Sequence, residues 1–231
     1  MTGERLIRPV AVVRNGFKTK FGVPRQSGLD GLTVSTVVME PEYRAAEAFR
    51  GIEEFSHLWL LWLFDGEEED GKWSPTVRPP KLGGNKRVGV FASRSPNRPN
   101  RIGMTVVRLI SVDHDAREGP LLRVTGCDMT DGTVIIDIKP YIPYADSRPD
   151  AAGGYSVDGD VRLKVVSSPE AAATMPEDIK EAVYELISLD PRPGYQSDPD
   201  RVYGFRYGSF DVRFKVVDQK AIVTEAVPLS K

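Results

Sequence analysis

The sequence predicts a mainly β protein, with a barrel or sandwich over residues 1–150 and a small α+β domain over residues 151–231. Three observations carry this reading. Short β-branched or alternating runs recur through the first 145 residues, separated by Gly/Pro turns and one brief helical stretch. Composition then shifts at Pro143-Tyr144-Ala145-Asp146-Ser147-Arg148-Pro149-Asp150-Ala151-Ala152-Gly153-Gly154, which reads as a linker or a long connecting loop. Beyond it, one amphipathic helix stands among strands.

Taken in order, residues 33–39 are β-branched and partly alternating, which suits a strand. Pro41 opens a helical stretch to Arg50, with Gly51 as its stop. Residues 55–64 form a strand too apolar for a wet edge, and 87–92, 103–112, 121–125 and 133–138 are further strands. In the second part 161–166 is a strand, and Thr174 with Glu177 form a capping box ahead of a helix. Ile179, Ala182, Val183, Leu186 and Ile187 share one face of that helix, and Asp190-Pro191-Arg192-Pro193-Gly194 ends it. The run 210–216 alternates cleanly, and 222–226 returns beside it.

With 231 residues the chain can bury a substantial core, and 40% hydrophobic with 28% charged residues is ordinary for a soluble globular protein. The longest apolar run is seven residues, 58–64, far short of the roughly 20 that a membrane helix needs. No apolar signal core follows Met1, and the lone Cys127 permits no internal disulfide; the chain reads as cytoplasmic. Only two histidines occur, so a His-rich metal centre is not available and no metal is expected. His114 lies in an exposed turn sequence, and His57, inside an apolar stretch, reads as a hydrogen-bonded core residue rather than a catalyst.

Charge is segregated. Between Gly71 and Val112 there are nine cations and no Asp or Glu, whereas the other 189 residues carry 22 basic against 33 acidic side chains. The net charge of −2 therefore hides a strongly cationic, loop-rich segment, which points to an anionic ligand or partner. At its centre, Ser93-Arg94-Ser95-Pro96-Asn97-Arg98-Pro99-Asn100-Arg101-Ile102-Gly103 packs three guanidinium forks and two carboxamides between strands. Such groups suit carboxylate, phosphate or a base edge; the alternative is a solvated turn stiffened by proline.

Two further stretches leave alternatives open. In Asp128-Met129-Thr130-Asp131-Gly132-Thr133 the Asp-Gly pair is turn chemistry, while Asp137 and Lys139 share one strand face, as an ion pair or as the wall of a polar pocket. Phe17-Lys18-Thr19-Lys20-Phe21-Gly22-Val23-Pro24-Arg25-Gln26 mixes aromatics and cations, either to stack bases or as a plain surface loop. There is no Gly-x-Gly-x-x-Gly after a strand, no P-loop and no nucleophile elbow.

Several of these motifs together resemble one family. They are residues 55–64, Pro75-Thr76-Val77-Arg78-Pro79-Pro80-Lys81-Leu82-Gly83-Gly84-Asn85, Gly89-Val90-Phe91-Ala92-Ser93-Arg94-Ser95-Pro96, Asp131-Gly132-Thr133, Asp137-Ile138-Lys139-Pro140-Tyr141, Pro24-Arg25-Gln26 and Asp190-Pro191-Arg192-Pro193. The chain is similar over nearly its full length to the TrmO (YaeB-like) tRNA N6-threonylcarbamoyladenosine methyltransferases. Arg101 and Val134 stand where that family commonly has proline.

The resemblance implies a non-Rossmann β-barrel domain that uses S-adenosyl-L-methionine. It implies a homodimer that methylates N6 of threonylcarbamoyladenosine at position 37, in the anticodon loop of tRNA. By position, cofactor contacts fall on Pro24, Arg25, Gln26, Phe64, Asp65, Arg94, Met104, Asp131, Gly132, Thr133 and Val134. Methyl transfer from a sulfonium needs positioning more than metal or covalent chemistry, which suits a chain poor in His and Cys. Asp131, Asn100 or Tyr141 is expected nearest the reacting nitrogen, with Arg98, Arg101 and Lys139 toward the anionic substrate. Two other readings remain: a non-catalytic RNA-binding barrel, and an adenosyl-cofactor barrel acting on a small metabolite, which the cationic segment disfavours.

Overall fold

The computed structural model describes residues 3, 5–64, 73–115, 117–156, 162–192, 196 and 198–229. Among these the first part of the chain forms β1 (Ala11–Arg14), β2 (Val34–Met39), β3 (His57–Leu63), β4 (Thr76–Val77), β5 (Val88–Gly89), β6 (Ile102–Asp115), β7 (Gly119–Thr125) and β8 (Val134–Pro140). Six of them close into a barrel in the order β1-β2-β7-β6-β3-β8, while β4 and β5 pair as a small ribbon. The open choice between barrel and sandwich is thus resolved as a barrel.

Strand alternation builds the barrel core. Leu58, Leu60 and Trp62 of β3 point inward, as do Val107 of β6, Leu122 and Val124 of β7 and Ile135 of β8. Residues 57, 59, 61 and 63 of β3 take the outer side, where each is half-buried. All neighbouring pairs are antiparallel. The connections after β1, β3 and β7 therefore emerge at one rim, which we call the mouth. The β2–β3 connection, the β6–β7 hairpin and the chain leaving β8 lie at the other.

Three local expectations are corrected. Residues 41–50 form no α-helix; they and the next few residues make three separate 3-10 turns, Pro41–Tyr43, Ala46–Phe49 and Ile52–Glu54. Gly51, with φ of +84°, redirects the chain between the last two. The expected strand 87–92 shortens to the two residues of β5, followed by a 3-10 turn at Val90–Ala92. The expected helix cap also moves: Ser168 caps the short helix before it by accepting from Ala171 N at 3.1 Å, and the longer helix starts after Pro176 without a side-chain cap.

The second part begins with α1 (Pro143–Asp146), inside the connecting segment. It continues through β9 (Lys164–Ser167), α2 (Pro169–Thr174), α3 (Glu177–Ser188), β10 (Tyr203–Tyr207), β11 (Phe210–Val217) and β12 (Lys220–Pro228). The sheet runs β10-β11-β12-β9, with only the β12–β9 pair parallel. Ala182, Val183, Leu186 and Ile187 of α3 are buried in the same cluster as Val212, Phe214 and Val223 of the sheet, as the helical spacing predicts. Residue 161, Pro193 and Gly194 lie outside the described residues.

The stretch from Phe17 is neither a stacking platform nor a plain surface loop. Phe17 is 1% exposed and belongs to the second hydrophobic cluster, with Phe21 and Val23 packed against it. Its ring lies 5.4 Å from that of Tyr207, and Gly208 N donates to Gly16 O at 2.9 Å. Gly16 is small of necessity, since a Cβ there would stand 2.7 Å from the Tyr207 ring. The β1–β2 connection of the barrel is thereby anchored in the core of the C-terminal part.

Candidate active site

The residues expected to hold a cofactor converge on the mouth. Residues 24–26 lie in the β1–β2 connection, Phe64 and Arg94 in the β3–β6 connection, and 131–133 between β7 and β8, where Val134 opens β8. Met104 sits near the start of β6, but its exposed side chain stands on the outer face of the barrel beside Leu61. Asp65 falls outside the described residues.

Side-chain contacts join these connections. Arg94 Nη1 donates to Gln26 Oε1 at 2.6 Å, tying two loops together. Arg25 turns toward the C-terminal part, where its Nη2 donates to the carbonyls of Asp190 (2.9 Å) and Arg192. The Asp190-Pro191-Arg192 stretch thus fixes residues 24–26 as well as ending α3. Pro24, next to Arg25 in the chain, is buried. Arg162 adds a further tether, donating to Leu29 O at 2.8 Å.

Asp131 is held on both oxygens. Asn15 N donates to Oδ1 at 2.8 Å and Lys18 Nζ meets Oδ2 at 2.6 Å. Gly132 follows at φ of +82°, with open space where a Cβ would be, and its N–H donates to Val13 O. Thr133 is buried and contacts Thr130 through their hydroxyls at 3.3 Å. This loop is built as a turn that carries backbone close to whatever occupies the mouth.

The Ser93-to-Arg101 loop is shaped by Arg98, whose Nη2 donates to the carbonyls of Val90 (3.1 Å) and Ser93 (3.0 Å). Asn100 is exposed on it, and Arg101, half-buried, accepts from Phe64 N through its carbonyl at 2.9 Å. Phe64 in turn packs its ring 4.2 Å from that of Trp62.

Sequence reasoning singled out Asp128 only as part of a turn motif, and passed over Thr105. The two form a half-buried polar centre just inside the mouth. Thr105 Oγ1 donates to Asp128 Oδ1 at 2.5 Å and accepts from Trp62 Nε1 at 2.9 Å. Burial raises the Asp128 pKa; Thr105, the Ser27 amide and the Arg94 charge oppose it. A signal was present: Thr105 is the one hydroxyl among the inward positions 103, 105 and 107 of β6. Beside it, the Cys127 thiol is fully buried and its pKa is pushed up to about 12, so it stays neutral.

Two expected site residues lie elsewhere. Tyr141 sits at the rim opposite the mouth, where its N–H donates to His57 O at 3.0 Å and its ring lies 5.8 Å from that of Trp59. Lys139 forms an exposed ion pair with Asp137 at 2.8 Å, so within one chain these two charges make a pair on the outer wall. His57 is half-buried on the same wall, with Nδ1 2.9 Å from Ser56 Oγ.

The mouth fits an adenosyl amino-acid cofactor. It offers aromatic surface at Phe64, a guanidinium–carboxamide pair at Arg94 and Gln26, and a glycine turn at Gly132. Such a ligand carries a base, a hydroxylated ring and a zwitterion, and these groups answer each of them.

Comparison with known proteins identifies the family. The profile of the tRNA-methyltransferase O N-terminal domain matches residues 12–147, and that of the TrmO C-terminal domain matches residues 160–229. A tRNA (adenine(37)-N6)-methyltransferase of Escherichia coli K12 is 38% identical over 218 residues, covering 90% of this chain and 92% of its own. A protein of the same description from Eikenella corrodens is 41% identical over 174 residues, or 75% and 97% of the two chains. The crystal structure of TrmO from Pseudomonas aeruginosa superposes with a TM-score of 0.81 at 31% identity, covering 99% of both chains. With both of its parts matched in order and its barrel shared with solved relatives, the chain belongs to the tRNA-methyltransferase O (TrmO) family.

Proposed function

We propose that this protein transfers a methyl group from S-adenosyl-L-methionine to N6 of threonylcarbamoyladenosine at position 37 of tRNA. The observation that carries this reading is the convergence of Gln26, Phe64, Arg94 and the Asp131-Gly132-Thr133 turn on one barrel mouth, in a chain of this family. The bound cofactor supplies an electrophilic methyl on a positively charged sulfur. The chain supplies position: residues 24–26 and 131–134 line the cofactor side, and the 93–101 loop faces the substrate. Arg98 and Arg101 give that loop the positive potential that suits the threonyl carboxylate.

The cationic segment supports a polyanionic substrate. Among the described residues no ion pair includes Arg78, Lys86, Arg87, Arg94, Arg98 or Arg108, whereas Arg14, Lys18, Arg162 and Arg192 are all paired with carboxylates. Arg78 and Lys86 are exposed at the ribbon formed by β4 and β5, where tRNA phosphates could meet them.

The protein is proposed to act in the cytoplasm as a homodimer. The outer wall formed by β8, β3 and β6 aligns Trp59 with Val106, Leu61 with Met104 and Leu63 with Ile102, an apolar strip on a barrel exterior. Pairing of two such strips would also bring Tyr141 and Lys139 toward a partner's site. Sedimentation of the full chain is expected to show a dimer at micromolar concentration.

Mass spectrometry of nucleosides from threonylcarbamoylated tRNA incubated with protein and cofactor tests the reaction. One added methyl on threonylcarbamoyladenosine supports it. Salt-dependent tRNA binding with no cofactor affinity in calorimetry would instead identify a non-catalytic RNA-binding barrel.

A further inference from the structure

Three carboxylates stand behind the mouth, and their surroundings differ. Asp131 already carries a donor on each oxygen. Asp30 is 1% exposed and caps its own turn through Leu32 N, Thr33 N and the Thr33 hydroxyl. Asp128 is partly open, is in no ion pair among the described residues, and takes a fixed side-chain donor at Oδ1.

That fixed donor is the end of a rigid chain. Trp62 is 6% exposed and its indole lies flat over Gly103, where an added Cβ would stand 2.2 Å from the ring. The indole N–H donates to Thr105, and Thr105 donates to Asp128. Both hydrogens run toward the carboxylate, so the chain orients Asp128 and stabilises its charged form, against the burial that raises its pKa. Arg94, which also holds Gln26, is the neighbouring cation, and the Ser27 amide, the neutral Cys127 thiol and Asp30 beyond it complete the polar surroundings.

We propose that Asp128 is the catalytic carboxylate that takes the N6 proton during methyl transfer. This deepens the reading above and rests on it. The N6 of the threonylcarbamoyl nucleoside is a urea nitrogen: its lone pair is delocalised into the carbonyl, which makes it a poor nucleophile and a better acid than a free amino group. As N6 bonds to the methyl carbon, the carbon–sulfur bond breaks with its electrons kept by sulfur. The N6–H electrons stay on nitrogen, and the proton passes to Asp128. A sulfonium and a carboxylate become a thioether and a carboxylic acid, so net charge is conserved. Partial burial brings the group nearer to neutral pH, where a general base works best.

The test uses the full chain, threonylcarbamoylated tRNA and S-adenosyl-L-methionine in single turnover. Wild-type rate is expected to rise with pH and then level off. Asp128→Asn is expected to slow methylation by about 10²–10⁴-fold, to flatten the pH profile and to leave cofactor affinity in calorimetry unchanged. It is also expected to melt no lower than wild type, because it relieves a buried charge. Thr105→Val removes the donor that stabilises the charged form, so its pH profile is expected to move to higher pH. An Asp128→Asn rate equal to wild type overturns the proposal. So does a loss of cofactor affinity that matches the loss of rate, which would make Asp128 a cofactor ligand. If wild-type protein itself adds no methyl to threonylcarbamoyladenosine, the substrate reading fails and takes the proposal with it.

Discussion

The two rims of the barrel solve the same problem, joining antiparallel strands, in opposite ways. At the rim away from the mouth, residues 40–56 pass through three 3-10 turns that satisfy their own backbone groups, and between β6 and β7 the Arg117 and Glu118 amides donate to Asp115 Oδ1. At the mouth, residues 15–33 and 126–133 contain no helix and, apart from the turn that Asp30 caps, are held by contacts distant in the chain: by Asp131, by Arg94, by the Phe17 anchor and by the carbonyls that Arg25 reaches. Segments that must present side chains and bare backbone to a ligand cannot spend those groups on their own turns. The C-terminal part supplies much of the missing support, which gives it a positioning role even without a contact to the substrate.

This contrast can be pressed at several points. Gly103→Ala should have the largest effect, because the Cβ would drive into the Trp62 indole at 2.2 Å from below. It is expected to cost about 1–3 kcal/mol in denaturant unfolding and to abolish most activity by displacing Thr105 and Asp128. An unchanged melting curve would mean that the indole can move and that the mouth is softer than described. Next, Arg94→Ala breaks the only described side-chain link between residue 26 and the 93–101 loop. Cofactor affinity by calorimetry should fall about 10- to 100-fold, the range for a hydrogen bond to a charged group, while tRNA affinity changes little.

Replacing Arg78 and Lys86 together by Ala should leave cofactor binding intact and weaken tRNA binding. The slope of log affinity against log salt is expected to decrease by about one per cation removed; an unaltered slope would place the RNA elsewhere. The smallest effect is expected at the far rim. Tyr141→Phe keeps the ring against Trp59 and removes only the hydroxyl, and its single-turnover rate should stay close to that of wild type. A collapse in rate would show that the hydroxyl reaches a partner's mouth, and would erase the functional distinction between the rims.

Much of this was legible in the sequence, and the failures are instructive. The alternation in 210–217 specified which side chains enter a core, because a period of two admits only one inward face, whereas 57–63 is apolar on both faces and left its inward face to barrel closure. The i, i+3, i+4 spacing from Ile179 likewise fixed the buried face of α3. The turn at 41–50 was misread because Pro41 and its neighbours permit either helix type, and packing of Phe49 into the barrel core chose the tighter one. Phe17 was misread as a surface aromatic because its burial depends on Tyr207, 190 residues along the chain.

By itself, then, the sequence determined the strand-rich class, the amphipathic faces, the cationic segment and the family motifs, all of which depend on neighbours within a few residues. Only the tertiary structure decided that the motifs share one rim, that Tyr141 and Lys139 stand apart from it, and that Asp128 is held by Thr105 and Trp62. Those facts depend on barrel closure, which sets the end of one strand beside the start of another far away in the chain, and no local pattern encodes that pairing.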